Sequence, residues 1–218
     1  MLPSPIAVGK AMWYDAPLLL EHSITTITEG VIGLFFGVLL GFLLAVLMDN
    51  FLWIKESLMP VLVVSQTIPT VAIAPLLVLW FGYEMTPKVI LIVLVTFFPI
   101  AIGVLNGFSQ VDKDMLQLLK SMKASWWQIF WHLKFPSCIT TFFASLKIAV
   151  SYSIVGAVIS EWLGGSSGLG VYMTRVRKSF AFDKMFAVIF IISLISLCMI
   201  ELINILQKKI VKWEKEPH

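Results

Sequence analysis

Few side chains in this 218-residue chain have the type and spacing for covalent chemistry. His22, His132 and His218 are far apart and share no ligand spacing, so a metal site has little support. Cys138 and Cys198 each lie in or beside an apolar run and read as small buried hydrophobes. The stretch Gly164-Gly165-Ser166-Ser167-Gly168 satisfies Gly-x-Ser-x-Gly, the pattern of an exposed serine nucleophile. It lacks the strand-to-helix setting, and no histidine is placed to act as its base. A Gly-x-x-x-x-Gly-Lys-Ser/Thr sequence does not occur, so ATP hydrolysis is not expected of this chain. No paired carboxylates are expected to face each other within the apolar blocks, which leaves an intramembrane enzyme without its acid–base machinery.

What remains points to passage and binding. Lys147 interrupts an apolar block, and an ionisable residue there is a functional candidate unless it snorkels to water. Around it run Ala149, Ser153, Gly156, Ala157 and Ser160 on one stripe, with Ser151 beside them. With Thr67, Thr70, Thr96 and Asn106 these hydroxyls and amides form either a polar pathway lining or a close-packed face bonded one turn back. Glu161 and Glu201 fall near the ends of apolar blocks and are expected at the interface. Glu161, Trp162, Ser166 and Ser167 are candidates for an outer gate or a docking contact. Gly33, Gly37, Gly41 and Ala45 recur every fourth residue, a helix-packing face more readily placed within one subunit than at a dimer seam.

The elements that must hold these residues follow from composition. The chain is 59% hydrophobic and 13% charged, with a mean hydropathy of +0.92. A soluble domain carries about 25% charged residues, so the fold class is all-α integral membrane. A hydrocarbon core about 30 Å thick takes about 20 apolar residues as helix. Five such blocks occur, about 30–48, 57–83, 89–111, 139–162 and 185–207. Pro60, Pro69 and Pro75 interrupt the second, with a break expected near Gln66-Thr67-Ile68-Pro69-Thr70. Residues 1–29 are expected to be extracytoplasmic or interfacial, and 208–218 a basic cytoplasmic tail. Nine loop lysines on one side of the blocks against six basic residues on the other favour the N-terminus outside and the C-terminus inside. Arg175, Arg177 and Lys178 form a basic cluster in the last loop, open to lipid phosphates or to an acidic partner surface. No signal peptide is expected at the start, and the small net charge of +3 gives nucleic acid no footprint.

The one long polar region is the loop 112–136. Its apolar residues Met115, Leu118, Leu119, Met122, Trp126, Phe130 and Leu133 are spaced for one helical face. Asp114 with Gln117, and Ser125 with Gln128, read as helix-start pairs. Two short helices with a bend near Met122-Lys123-Ala124 are therefore expected.

This loop resembles the EAA loop of permease subunits of binding-protein-dependent ABC importers. The family pattern is Glu-Ala-Ala, three residues, Gly, nine residues, Ile, any residue, Leu-Pro. Here Gln117-Leu118-Leu119, Lys123, Leu133 and Phe135 keep the spacing with changed identities, while the terminal Pro136 and the flanking Ala124-Ser125 are kept. A lysine at the glycine position costs about 1 kcal/mol if a left-handed turn is required there. Leu2-Pro3-Ser4-Pro5, Pro69 with Pro75, Phe81-Gly82-Tyr83, and Ser160-Glu161-Trp162-Leu163-Gly164 with Gly168-Leu169-Gly170 extend the likeness to the nitrate, sulfonate, taurine and pyrimidine-precursor branch. Members of that branch usually carry one more helix before the Leu-Pro-Ser-Pro stretch.

The resemblance implies a type I permease core with five helices in a bacterial inner membrane. It implies a permease dimer, two separate ATPase subunits that bind ATP and Mg, and an extracytoplasmic substrate-binding protein, with no cofactor in this chain. It implies ATPase coupling through Asp114, Gln117, Leu118, Leu119, Lys120, Lys123, Ala124, Ser125, Trp126 and Trp127. The expected cargo is a small molecule, either a pyrimidine-precursor-like heterocycle or a sulfonate- or nitrate-type anion. A competing expectation is an ATP-independent secondary transporter or channel, although no inverted repeat is visible. A membrane scaffold without transport is a weaker one.

Overall fold

The computed structural model describes residues 3–211, all helices and connections. Leu2 and the tail residues Lys212, Lys215 and His218 lie outside the described residues. Helix α1 (Pro5–Tyr14) opens on a Ser4 cap whose Oγ accepts from Ala7 N at 3.2 Å, with proline at a first-turn position where no amide donor is needed. Asp15 then separates it from α2 (Ala16–Asn50). At 1.5 Å per residue α2 is about 52 Å long, well beyond a single crossing. The helix thus continues 14 residues before position 30, through Glu21, His22 and Glu29, where the charges had set the expected span's edge.

Helices α3 (Leu52–Thr67) and α4 (Thr70–Phe81) are bent by 98° at Ile68-Pro69. Pro69 has no amide hydrogen and pushes Ile68 to an extended ψ of 121°, so the helix stops there. Pro60 and Pro75 remain inside their helices. Helix α5 (Met85–Ser109) follows, then α6 (Lys113–Ser121) and α7 (Trp126–Ile129). A π-helical turn, Phe130–Lys134, leads into α8 (Phe135–Leu163), so that 126–163 is one rod. Pro136 cannot donate to the carbonyl four residues back, and the widened turn lies over that gap. Helix α9 (Leu169–Lys178) and the long α10 (Phe182–Ile210) are the last elements among the described residues.

Four of these helices, α2, α5, the 126–163 rod and α10, are long and apolar enough to cross a membrane, and the bent α3–α4 pair makes a fifth if it counts as one span. The core is α2, α5 and α8 packed together around Ile92, Ile100, Val104, Ala149, Val150 and Ile154. The glycine stripe makes this possible. A side-chain carbon on Gly33 would strike Ile92, on Gly37 would strike Thr96, and on Gly41 would strike the Phe97 carbonyl, all on α5. The stripe therefore packs within the subunit. Gly103 and Gly107 of α5 play the same part against Ser145 and Cys138 of α8.

Two local readings are corrected. The cap of α6 is Asp112, whose Oδ1 accepts from Asp114 N at 2.8 Å, whereas Asp114 lies in the first turn. Glu161 is not interfacial: it is 1% exposed, because α9 folds back over it. Glu201 is exposed.

Candidate functional site

The polar loop folds into a knuckle beyond the ends of α2 and α5. Asp112 caps α6, and Met122 closes it. Lys123 then adopts φ 56°, the left-handed conformation that turns the chain. The bend expected at Met122-Lys123-Ala124 is present, at the lysine's conformational cost. Ser125 opens α7 with both arms of a capping box: its Oγ accepts from Gln128 N at 3.4 Å, and its own amide donates to Gln128 Oε1 at 2.7 Å.

Of the ten coupling candidates, Asp114, Gln117, Lys120, Lys123 and Ser125 are exposed, as are Leu118, Trp126 and Trp127, while Leu119 and Ala124 are half-buried. Met115, Leu118, Met122 and Trp127 together expose an apolar face. Its inner side is fixed. Trp126 stacks on Phe130 with centroids 5.1 Å apart, and Phe130 packs edge-on to Phe108 of α5. Trp126 Nε1 donates to Asn50 Oδ1, and Lys134 forms an ion pair with Asp49. Asp49 and Asn50 were not legible as site residues, because their partners lie 85 and 76 positions away.

The hydroxyl candidates divide. Thr96, Ser153 and Ser160 are buried, and each donates to a carbonyl three or four residues back, which makes them packing residues. Thr70 instead lines a cavity of about 230 Å³ at the α3–α4 break, between α5 and α8, with Gln66, Tyr152 and Gly156. Thr67 is exposed and donates to Val64 O, and Asn106 is exposed near the end of α5. Lys147 and Ser151 are half-buried; Ser151 donates to Lys147 O at 3.3 Å. Gln66 and Tyr152 were missed, although Gln66 was part of the expected break.

At the opposite end lies a buried polar cluster. Lys88 Nζ donates to Glu29 Oε1 at 2.6 Å, with both side chains buried. Glu161 accepts from Thr26 Oγ1 at 2.7 Å and from Gly170 N at 2.6 Å. Glu29 on α2 and Glu161 on α8 are both buried at this end of the bundle. Thr26 accepts from Leu169 N and His22 Nδ1 from Gly168 N, each at 2.9 Å. Gly168 has φ 122°, and a side-chain carbon there would strike Glu161, so only glycine closes this turn. Ser166 and Ser167 line an open cavity of about 370 Å³ above Glu29 and Lys88, while Trp162 is exposed. Glu29 and Lys88 escaped the sequence reading because they sit one residue outside the uncharged blocks beginning at 30 and 89.

These features have counterparts in known proteins. The model of the family described as "binding-protein-dependent transport system inner membrane component" matches residues 37–212. A probable ABC transporter permease protein of Haemophilus influenzae is 39% identical over 199 residues, covering 91% of this chain and 81% of that one. The formylaminopyrimidine transport permease protein ThiX of Halalkalibacterium halodurans is 37% identical over 217 residues, covering 99% and 87%. In fold, the chain is similar to the crystal structure of an amino acid ABC transporter, with a TM-score of 0.75 at 17% identity over 96% of this chain and 100% of that one. The chain belongs to the inner-membrane permeases of binding-protein-dependent ABC importers, in the branch shared with pyrimidine-precursor, sulfonate, taurine and nitrate permeases.

Proposed function

We propose that two copies of this permease enclose the translocation pathway and that the 112–136 knuckle of each docks into one of two separate ATPase subunits. The observation that carries this reading is the knuckle itself: an exposed apolar face whose inner side is tied to α2 through Asp49 and Asn50 and to α5 through Phe108. A displaced knuckle therefore pulls on two core helices at once. ATP and Mg belong to the ATPase partners, whose closure rocks the helices between outward and inward openings. The N-terminus lies outside and the knuckle inside, by the lysine distribution. An extracytoplasmic binding protein delivers a small molecule to the end bearing Trp162, Ser166 and Ser167. The cavity at the α3–α4 break, lined by Gln66, Thr70 and Tyr152, is the pathway segment, since irregular backbone within a membrane is tolerated where it lines a cavity.

The cargo is a small heterocycle or a sulfonate- or nitrate-type anion. The named polar groups of the cavity are amide and hydroxyl, and ThiX is named for formylaminopyrimidine transport; both favour the heterocycle.

The test is a mild-detergent pull-down of the tagged chain from its native membranes, with mass spectrometry of co-purifying proteins. A stoichiometric ATPase, lost when residues 112–134 are deleted, is the expected result. A chain recovered alone that moves solute in liposomes without ATP would instead make it a secondary carrier or channel.

A further inference from the structure

Lys147 lies in the apolar helix α8 with no ion-paired carboxylate among the described residues, and its surroundings give it a purpose. Between α8 and the last turns of α10 is a cavity of about 210 Å³ lined by Lys147, Asn204, Gln207, Lys208 and Val211. Its lining therefore holds two ammonium groups, two carboxamides and one apolar residue. Neither lysine makes an ion pair among the described residues. The nearby acid, Glu201, already accepts from Asn204 Nδ2 at 2.9 Å.

The position matters as much as the chemistry. Val211 packs on Ile139 and Phe143, which puts the cleft near the end of the bundle that carries the knuckle. There the last turn of α10 carries Lys208 and Lys209, and lysines at the end of an apolar span reach for the headgroup layer. Leu197, two turns before Asn204 on the same face of α10, is exposed and gives an acyl chain an apolar surface beside the cleft. Two ammonium groups with no ion pair among the described residues, beside an apolar helix face, match an anion that carries its own hydrocarbon.

We propose that this cleft binds the phosphate oxyanion of an anionic phospholipid headgroup, with Lys147 and Lys208 as the charged donors and Asn204 and Gln207 as neutral ones. The lipid fills the gap between α8 and α10 and fastens the last helix to the core. Lys147 reaches down from the helix to the headgroup layer, which accounts for a charge in the middle of an apolar block. The site does not depend on the transport reading.

The test uses the full chain, purified in mild detergent and stripped of lipid, then offered phosphatidylglycerol or phosphatidylcholine and analysed by native mass spectrometry. Wild type is expected to retain phosphatidylglycerol over phosphatidylcholine by about fivefold, roughly what one basic residue contributes near a membrane surface. Lys147→Gln and Lys208→Gln lose that preference, Lys147→Arg keeps it, and Lys10→Gln, which removes the same charge from exposed α1, also keeps it. Equal retention of both lipids by wild type, or equal loss in Lys10→Gln, would overturn the proposal. Millimolar inorganic phosphate separates the two sources of this anion: full displacement of the lipid, with retention of free phosphate, would overturn the lipid assignment.

Discussion

Lys134, at the start of the 38-residue rod, is ion-paired with Asp49, in the last turn of α2. Both side chains are mostly shielded, at 17% and 18% exposure, so the pair is less screened than a surface bridge. Together with Trp126 on Asn50 it makes the knuckle an extension of α2 as well as of α8.

Breaking that pair is expected to impair transmission more than folding. Asp49→Ala should lower uptake several-fold at unchanged membrane level, while ATP hydrolysis by the assembled complex persists. The double exchange Asp49→Lys with Lys134→Asp should recover part of the uptake. A double-mutant cycle on thermal stability is expected to give a coupling on the order of 1 kcal/mol, the upper end for exposed pairs. Uptake equal to wild type in Asp49→Ala would remove the tie from the coupling path.

Lys123 holds φ 56° without glycine's freedom. Lys123→Gly should relieve a left-handed penalty of about 1 kcal/mol, less glycine's own entropy in the unfolded chain. Lys123→Val should destabilise by at least as much. Thermal unfolding of the purified permease measures both, and a stabilised valine variant would contradict the backbone assignment. Ala124→Trp beside it should uncouple transport while insertion continues.

The Glu161 carboxyl ties α8 to α2 and α9. Glu161→Ala strands the Gly170 amide, at about 1–3 kcal/mol for a buried unsatisfied group, while the Thr26 hydroxyl keeps its bond to the His22 carbonyl. The expected readout is a lower unfolding temperature and faster proteolysis of the α8–α9 loop, alongside any loss of binding-protein docking. Unchanged stability, uptake and docking would show that the carboxyl has neither role.

Asp15 lies outside the spans, where its Oδ2 meets Lys184 Nζ at 2.7 Å and the Tyr172 hydroxyl at 2.6 Å. The Lys184 ammonium first, and the Tyr172 hydroxyl second, hold the carboxyl below the usual carboxylate range. A depressed folded value means the contribution is present above the unfolded value, near 4, and is lost as pH falls through the folded one. Asp15→Asn should therefore flatten the acid limb of a stability–pH curve below about pH 4 and lower stability at neutral pH. Burial, with Asp15 as its acceptor, pushes the Tyr172 phenol up, so this hydroxyl stays a donor throughout.

On α2, Gly37→Leu should prevent α5 from closing, because even a first side-chain carbon strikes Thr96. Overpacking of this kind costs about 1–3 kcal/mol or more, read as loss of folded protein in detergent. Gly9→Ala is the control, with nothing within 4 Å of the added carbon.

The apolar blocks, the break at Pro69, the capping box of Ser125 and the turn at Lys123 were all legible in sequence. Each depends on a rule that acts over a few residues or on a helix length matched to bilayer thickness. The spacing of Gly33, Gly37 and Gly41 showed a packing face in the same way, although only the structure names α5 as its partner. What tertiary structure alone decided is who meets whom. Glu29 and Lys88 are 59 residues apart, and Thr26 and Glu161 are 135 apart. No local period records such a pairing, and cutting the spans at their first charge left Glu29 and Lys88 outside the very helices that bury them. The same holds for the hydroxyls. Thr70 and Ser153 look alike in sequence, and only the packing of α5 and α8 sends one to a cavity and closes the other against its own backbone.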